Sequence, residues 1–338
     1  MTKKSQNDKI KVHCYPAIRS PACFFYRIYS PLSWVGDLKH DEFYCTMSPK
    51  PDQQMIDNAD IVIFQRAGFP HDLYLLEQLL KLDKKIVYEV DDNLLNLPPN
   101  NPHYKTYSKK EIKETIRKFI STAHAVTVPT LPLKEFFSSL NNNIHLIPNA
   151  VDFRLISPRA RNNNKIVVGY QGAIEHKSEF KLISKCLDAL TKKDFKDRVH
   201  VKLFGFKHSG CQTVKYFPFE RFHEALMLAD LDIGLAPLAQ NQFNEGKSNL
   251  KWLEYSAFET ATIATDIYPY SNSIEEGFDG FLIKHPKDWI EIIKQLVSNS
   301  DKLREVQENA FNTVKTEFNV QNTCLLWYDL LKSLRKDR

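Results

Sequence analysis

The chain has 338 residues, of which 43% are hydrophobic and 26% charged, and its formal net charge is +5. At about 150 residues per domain, this length predicts two domains with the composition of an ordinary globular protein. No apolar run approaches the ~20 residues that cross a bilayer, and the polar start MTKKSQNDK lacks the apolar core of a signal peptide. We therefore expect a cytoplasmic protein.

Strands and helices are predicted to alternate along the first half of the chain. Short apolar runs predict strands at residues 11–15, 60–65, 85–90, 125–129 and 145–147. Amphipathic stretches predict helices at residues 72–82, 109–121 and 133–140. This alternation is typical of a parallel sheet covered by helices on both faces.

The same pattern restarts at Lys165, after the polar stretch SPRARNNNK. Strands are predicted at residues 165–170, 200–206, 232–238, 262–265 and 281–284, and helices at 179–190, 220–229, 248–258, 286–298, 301–316 and 320–338. We expect two parallel α/β domains, at residues 1–150 and 151–318, followed by a final helix at residues 319–338.

Glycine and cysteine usage argues against several classes of site. Neither G-x-G-x-x-G nor G-x-x-x-x-G-K-[ST] occurs, which argues against a dinucleotide dehydrogenase and a P-loop NTPase. The six cysteines form no C-x-x-C pair, which argues against a zinc site and a disulfide scaffold. We expect no metal and no cofactor. The modest positive charge suits an anionic ligand without indicating nucleic acid.

The stretch at residues 230–254, DLDIGLAPLAQNQFNEGKSNLKWLE, carries the strongest functional signal. A buried strand is followed by a loop and by a helix that we expect to begin between Gly246 and Ser248. On that helix Lys247, Lys251 and Glu254 would share one face. A strand-to-helix corner of this kind binds anionic ligands, and a carboxylate suits the diol of a ribose. The alternative is an ordinary surface of paired charges.

Three segments resemble retaining GT-B glycosyltransferases of the family 4-like type that builds bacterial polysaccharide and O-antigen. They are FNEGKSNLKWLE, IPNAVD at residues 147–152 and EVDD at residues 89–92. The resemblance implies two Rossmann-like domains whose parallel sheets face each other across a cleft. It makes the first domain the acceptor side and the second the nucleotide-sugar side, with the last helix crossing back to the first domain.

The resemblance also implies roles for individual residues. Glu254 would hold the ribose, and the loop that contains Phe219 would lie against the base. Asp91 and Asp92 would orient the acceptor hydroxyl, unless they serve only as turn or capping residues. The diphosphate would be bound by a set that shares positive charge or close backbone approach: Gly172, Lys177, Lys247, Ser248, Asn249 and Lys251. Lys247 is also the expected catalytic cation.

The resemblance implies a metal-independent hexosyltransferase that moves sugar from a UDP- or GDP-linked donor to a glycan or lipid-linked acceptor. Alternatives are a sugar-nucleotide epimerase of similar fold and a non-catalytic nucleotide-sugar-binding module. A nucleic-acid binder is not favoured, because basic residues are mixed with acidic ones.

Two further groups of basic residues leave alternatives open. Arg27 and Arg66 either reach a phosphate or acidic acceptor, or, for Arg27 in the aromatic FFYRIY, complete the core. The basic amphipathic helix at residues 109–120 either packs as a surface helix, which we favour, or contacts the inner membrane surface.

Overall fold

The computed structural model describes residues 9–17, 20–50, 52–157, 164–172, 176–214 and 221–336. Contacts within the chain divide it into two compact units. The first unit comprises Met1–Ala150, Gly246–Ser248 and Val320–Arg338, and the second comprises Val151–Glu245 and Asn249–Asn319.

The first unit is built on a six-stranded parallel sheet with the order β2-β1-β3-β4-β5-β6. Its strands are β1 (Ile10–Tyr15), β2 (Phe43–Met47), β3 (Ile61–Gln65), β4 (Lys85–Glu89), β5 (Ala125–Val128) and β6 (Ile144–Leu146). Its helices are α1 (Pro21–Phe24), α2 (Ser30–Leu38), α3 (Gln53–Asn58), α4 (Pro70–Lys81), α5 (Tyr104–Tyr107), α6 (Lys110–Thr122), α7 (Leu131–Phe137) and α17 (Val320–Lys336). A π-helical turn, Phe25–Tyr29, joins α1 to α2.

Burial explains which of these strands the sequence revealed. Every residue of β3 (IVIFQ) is buried, as expected for an inner parallel strand with both faces covered. The edge strand β2 (FYCTM) has one buried residue, Phe43, and an exposed Tyr44. Its weak apolar signal left it unpredicted, as were α1, α2 and α3.

The last helix, α17, packs in the core of the first unit. Cys324, Trp327 and Leu331 are each fully buried and share one apolar cluster with Val12 of β1 and Leu32 of α2. The leucine spacing of the sequence predicted a packing helix, and its partners are now defined.

Helix α6 is amphipathic, as predicted. Ile112, Ile116, Phe119 and Ile120 are buried. Ser108 and Glu111 have the sequence spacing of a capping box, but Lys109 is the residue that precedes the helix and no side chain caps it. The buried stripe agrees with the surface-packing interpretation.

The second unit contains a six-stranded parallel sheet with the order β12-β11-β10-β7-β8-β9. Its strands are β7 (Ile166–Gln171), β8 (Val199–Phe204), β9 (Gln212–Val214), β10 (Ile233–Ala236), β11 (Ala261–Thr265) and β12 (Phe281–Ile283). Its helices are α8 (Lys177–Phe180), α9 (Ser184–Leu190), α10 (Lys193–Lys196), α11 (Phe222–Ala229), α12 (Gln242–Glu245), α13 (Leu250–Ala257), α14 (Tyr268–Ser271), α15 (Asp288–Ser298) and α16 (Ser300–Glu317).

The prediction of parallel α/β sheets is confirmed in both units, with differences in detail. The helix predicted at residues 179–190 is interrupted by a 3-10 turn, Lys181–Ile183, between α8 and α9. The short strand β9 was not predicted, because two of its three residues are exposed and its apolar signal is weak.

Candidate functional site

Each sheet has a switch point, where the chain reverses the direction in which it adds strands. In the second unit β7 lies beside β10, and in the first unit β1 lies beside β3. Ligands of open parallel sheets bind beyond the carboxyl ends of the strands at such points. The predicted site residues are therefore expected at these strand ends.

At the second unit's switch point, Glu254 of α13 is paired with Gln171, the last residue of β7. Gln171 Nε2 donates to Glu254 Oε2 at 2.7 Å, and Glu254 is only 5% exposed. A carboxylate at this depth needs hydrogen bonds to remain stable. The amide of Gln171 supplies one of them and fixes the direction of the side chain. Sequence reasoning identified Glu254 and missed Gln171, although a polar residue ending an apolar strand was the available signal.

Tyr255 holds α13 against the same strand end. Its hydroxyl accepts from Gln171 N at 3.1 Å and donates to Leu235 O at 3.3 Å. Its ring lies over Gly234, where an added Cβ would come within 2.5 Å of it. Burial raises the pKa of Tyr255 far above its usual value, so the phenol stays neutral and keeps donating. Gly234 and Tyr255 thus set the position from which Glu254 projects.

Helix α13 begins at Leu250, not between Gly246 and Ser248 as predicted. Asn249 precedes it, and its side chain donates to Ser273 Oγ at 3.0 Å instead of capping the helix. Lys247 therefore lies outside the helix and does not share a helical face with Glu254. The prediction of a shared helix face was wrong because several small polar residues in a row could each precede the helix, so the sequence does not fix where the helix begins.

The other residues of the second unit that were predicted to bind the nucleotide-sugar donor are more dispersed. Gly172 follows β7, and an added Cβ there would meet the Tyr170 hydroxyl at 2.6 Å, so the close backbone packing requires glycine. Lys177 is the exposed first residue of α8, and Lys251 is half-buried on α13. Phe219 lies outside the described residues.

At the first unit's switch point, Arg66 directly follows β3 and binds two predicted acceptor residues. Its Nη1 lies 2.7 Å from Asp91 Oδ1 and 3.4 Å from Asp92 Oδ2. Arg66 has a positive φ of 54°, which costs a non-glycine residue on the order of 1 kcal/mol. Strand β4 ends at Glu89, so the two aspartates do not alternate sides as a continuing strand would require. They converge on one guanidinium.

This arrangement decides the charge of Asp91. Burial alone would raise its pKa, but the Arg66 guanidinium, the hydrogen bond with Cys23 and the charge of Arg27 together outweigh burial and hold the pKa of Asp91 below its usual value. Asp91 is therefore an ionised hydrogen-bond acceptor at neutral pH. The contact with Arg66 could not be read from sequence, because it joins two separate strand ends.

The segment Gly246–Ser248 belongs to the first unit and is attached there at each residue. Thr130 Oγ1 donates to Gly246 O at 2.8 Å, and Asn149 Nδ2 donates to Ser248 Oγ at 2.9 Å. Lys247 Nζ lies 3.4 Å from Asp92 Oδ1. The structure thus brings Asp91, Asp92, Lys247 and Ser248 into one neighbourhood within this unit.

Arg27 does not reach outward. It is 1% exposed, its Nε donates to Glu89 Oε1 at 2.7 Å, and its Nη1 donates to Ile147 O and to Asn149 Oδ1. Of the two interpretations of Arg27, the buried core arginine is the one that the structure supports. Burial raises the pKa of Glu89 to about 7, against the opposing pull of Arg27.

The described residues contain no group of three or more histidine, cysteine or acidic side chains that could hold a metal ion. No described helix combines the length and apolar character needed to cross a bilayer.

No protein-family model matches the sequence, and no curated protein matches it. Solved structures do match. A glycosyltransferase from Rickettsia africae is 13% identical, with a TM-score of 0.66 over 98% of this chain and 100% of that one. HepE from Anabaena, solved in complex with UDP-glucose, is 12% identical, with a TM-score of 0.66 over 95% of this chain and 99% of that one.

TarM of S. aureus is 17% identical, with a TM-score of 0.62 over 80% of this chain, and this chain spans about half of TarM, 54% of its length. A putative UDP-N-acetylglucosamine 2-epimerase from Listeria monocytogenes is similar with a TM-score of 0.58 at 12% identity, over 98% of each chain. At these identities the likeness concerns the fold. The predicted fold class, GT-B with two Rossmann-like units, is confirmed.

Proposed function

We propose that this protein is a glycosyltransferase that moves a sugar from a nucleotide-diphosphate sugar to an acceptor hydroxyl. The observation that carries the proposal is Glu254, a buried carboxylate whose direction Gln171 fixes at the switch point of the second unit. A carboxylate there accepts hydrogen bonds and suits the hydroxyl pair of a ribose. The similarity of the fold to HepE, a UDP-glucose-binding protein, supports this choice.

In this proposal the second unit binds the nucleotide, with Gly172 and Lys177 beside the phosphates. Asn249 and Lys251 were assigned to the diphosphate from the sequence and remain part of the proposal. Phe219 is assigned to the base on the same ground.

The first unit supplies the acceptor side. Because Arg66 keeps Asp91 ionised, Asp91 accepts a hydrogen bond and does not donate one. That is the property needed to orient an acceptor hydroxyl. Asp92, held by Arg66 and Lys247, would assist it.

Lys247 would stabilise the negative charge that develops on the departing diphosphate, the task that a metal ion performs in other transferases. The diphosphate would compete for this ammonium group with Asp92, whose Oδ1 lies 3.4 Å from Lys247 Nζ. Ser248 would donate a hydrogen bond to the same diphosphate. Retention, with a phosphate oxygen removing the acceptor proton, and a role in polysaccharide synthesis rest on the sequence resemblance.

The first test is a thermal-shift panel of UDP- and GDP-sugars, because a ligand that binds the native state raises Tm. A sugar that stabilises the wild type is then supplied with glycan and lipid-linked acceptors, and transfer is followed by mass spectrometry. We expect Glu254→Gln to lose the shift while the exposed Glu245→Gln keeps it. A shift that survives in Glu254→Gln would refute the assigned site.

A sugar-nucleotide epimerase is the second candidate, favoured by the similarity to the Listeria protein. Incubation with the stabilising nucleotide-sugar and no acceptor separates the two activities. An epimerised nucleotide-sugar would support the second candidate, and an unchanged one supports the transferase.

A further inference from the structure

Asn149 of the IPNAVD segment links a buried arginine to the serine expected at the diphosphate. Its Oδ1 accepts from Arg27 Nη1 at 3.1 Å, and its Nδ2 donates to Ser248 Oγ at 2.9 Å. Arg27 and Asn149 are 1% and 5% exposed, whereas Ser248 is half-buried. The chain of contacts therefore runs from the core of the first unit toward its surface.

The chemistry of these groups fixes the direction of each hydrogen bond. A guanidinium only donates, so the atom of Asn149 that faces Arg27 must be the carbonyl oxygen. The other end of the amide is then the NH₂ group, which also only donates. Ser248 Oγ must accept from it, and the single hydroxyl proton of Ser248 is left to point toward a different acceptor.

We propose that Arg27 and Asn149 are positioning residues that fix the Ser248 hydroxyl as a hydrogen-bond donor to a diphosphate oxygen of the nucleotide. The inference rests on the proposed function. A phosphate oxygen accepts and cannot donate, so a serine whose proton was used internally would present only lone pairs to it and repel it. The chain of hydrogen bonds from Arg27 through Asn149 to Ser248, hereafter the relay, prevents that orientation.

The anchor of the relay is rigid. Arg27 is bound by Glu89 Oε1 and by the carbonyl of Ile147, so its guanidinium cannot rotate away from Asn149. The backbone beside Ser248 is held as well, through the bond from Thr130 to the Gly246 carbonyl. A donor prearranged in this way loses little freedom when the ligand binds.

The test uses Asn149→Asp, which reverses the direction of the hydrogen bond between residue 149 and Ser248. A carboxylate has no proton to donate, so Ser248 must turn its own proton inward to meet it. Affinity for UDP and GDP is measured by isothermal titration calorimetry on the full chain. For the nucleotide that the wild type binds, we expect about tenfold weaker binding in Asn149→Asp and in Ser248→Ala, the scale of one hydrogen bond to a charged group. The exposed Asn142→Asp carries the same charge change and should bind as the wild type does.

The combined variant separates the relay from simple charge repulsion. If Asn149 acts through Ser248, adding Asn149→Asp to Ser248→Ala weakens binding no further than about twofold. The inference would be overturned if the two single losses multiply in the double variant to about a hundredfold weaker binding. Wild-type affinity in Asn149→Asp would overturn it as well. A structural role alone would not make the effect of one substitution depend on the other hydroxyl.

Two further outcomes are distinguishable. If the wild type binds neither UDP nor GDP, the proposed function fails and the relay with it. If the wild type binds one of them and Ser248→Ala binds it equally well, the relay fails and the proposed function stands. Ser248 is half-buried, so this variant remains informative if Asn149→Asp does not fold.

Discussion

The buried pair of Arg27 and Glu89 makes a prediction about stability that can be worked through from its geometry. Both side chains are at most 1% exposed, and the pair is joined at 2.7 Å. Removing one partner of such a pair costs about 3–5 kcal/mol, because the other charge stays buried. We expect Arg27→Met to lower the free energy of unfolding of the first unit by about 3 kcal/mol at pH 8.

The free energy of unfolding that Arg27→Met loses should depend on pH. Burial raises the pKa of Glu89 from 4.5 to about 7 in the folded protein, although Arg27 opposes the rise. A carboxyl whose folded pKa lies above its unfolded value lowers stability as pH rises from about 4.5 through about 7. Without Arg27 the folded pKa is higher still, so the loss continues above pH 7 at about 1.4 kcal/mol per pH unit. Below pH 7 the difference between the variant and the wild type should fall to the part that does not depend on the ionisation of Glu89, which includes the lost hydrogen bonds to Ile147 and Asn149.

Urea unfolding followed by thiol labelling, read separately at Cys14 and Cys324, reports on the first unit, since both cysteines are fully buried in it. Lys110→Met, which removes an exposed ion pair of 3.7 Å, is the control and should change the free energy of unfolding by less than about 0.5 kcal/mol. Adding Glu89→Gln to Arg27→Met should recover part of the loss at pH 8. A loss at pH 8 below about 1 kcal/mol, or one equal at pH 6 and pH 8.5, would refute the reasoning.

Three predictions concern the site. Glu254→Gln should weaken donor binding about tenfold by calorimetry, since the carboxylate that Gln171 orients is lost; unchanged affinity would contradict the ribose assignment. Lys247→Ala should lower kcat about 100-fold with a smaller change in KM for the donor, and full turnover would remove its catalytic role. Because the Arg66 guanidinium lowers the pKa of Asp91, activity should persist below the usual aspartate range and fall only as Asp91 takes up a proton. In Arg66→Lys this acidic limb of kcat/KM should move to higher pH, and an unmoved limb would show that Asp91 is not the titrating group.

Sequence alone located the inner strands well, because short continuous apolar runs rich in β-branched residues, such as IVIFQ, favour a buried strand over a helix. It missed the edge strand β2, whose half-exposed residues give no clear period. The start of α13 was placed too early, because Ser248 and Asn249 are both good residues to precede a helix, and tertiary contacts chose between them.

In the candidate site, too, local sequence features could be predicted and contacts between distant residues could not. Glu254 and Asp91 were predicted because they stand at the corner of a strand and a helix or shortly after a strand, and because their segments resemble the family's motifs. Their partners were not found: Gln171 lies 83 positions from Glu254, and Arg66 lies 25 positions from Asp91. Such pairings are set by strand order in the sheet, which no local pattern encodes.

The packing of α17 on β1 has a consequence for synthesis of the chain. The first unit buries Val12 under residues that the ribosome makes after the whole of the 151–319 region, including Trp327 and Leu331. The 151–319 region can finish folding while the N-terminal sheet still exposes an apolar face to solvent and to chaperones. A nonsense mutation just before Val320 would remove α17, and we expect it to leave the nascent N-terminal sheet aggregation-prone.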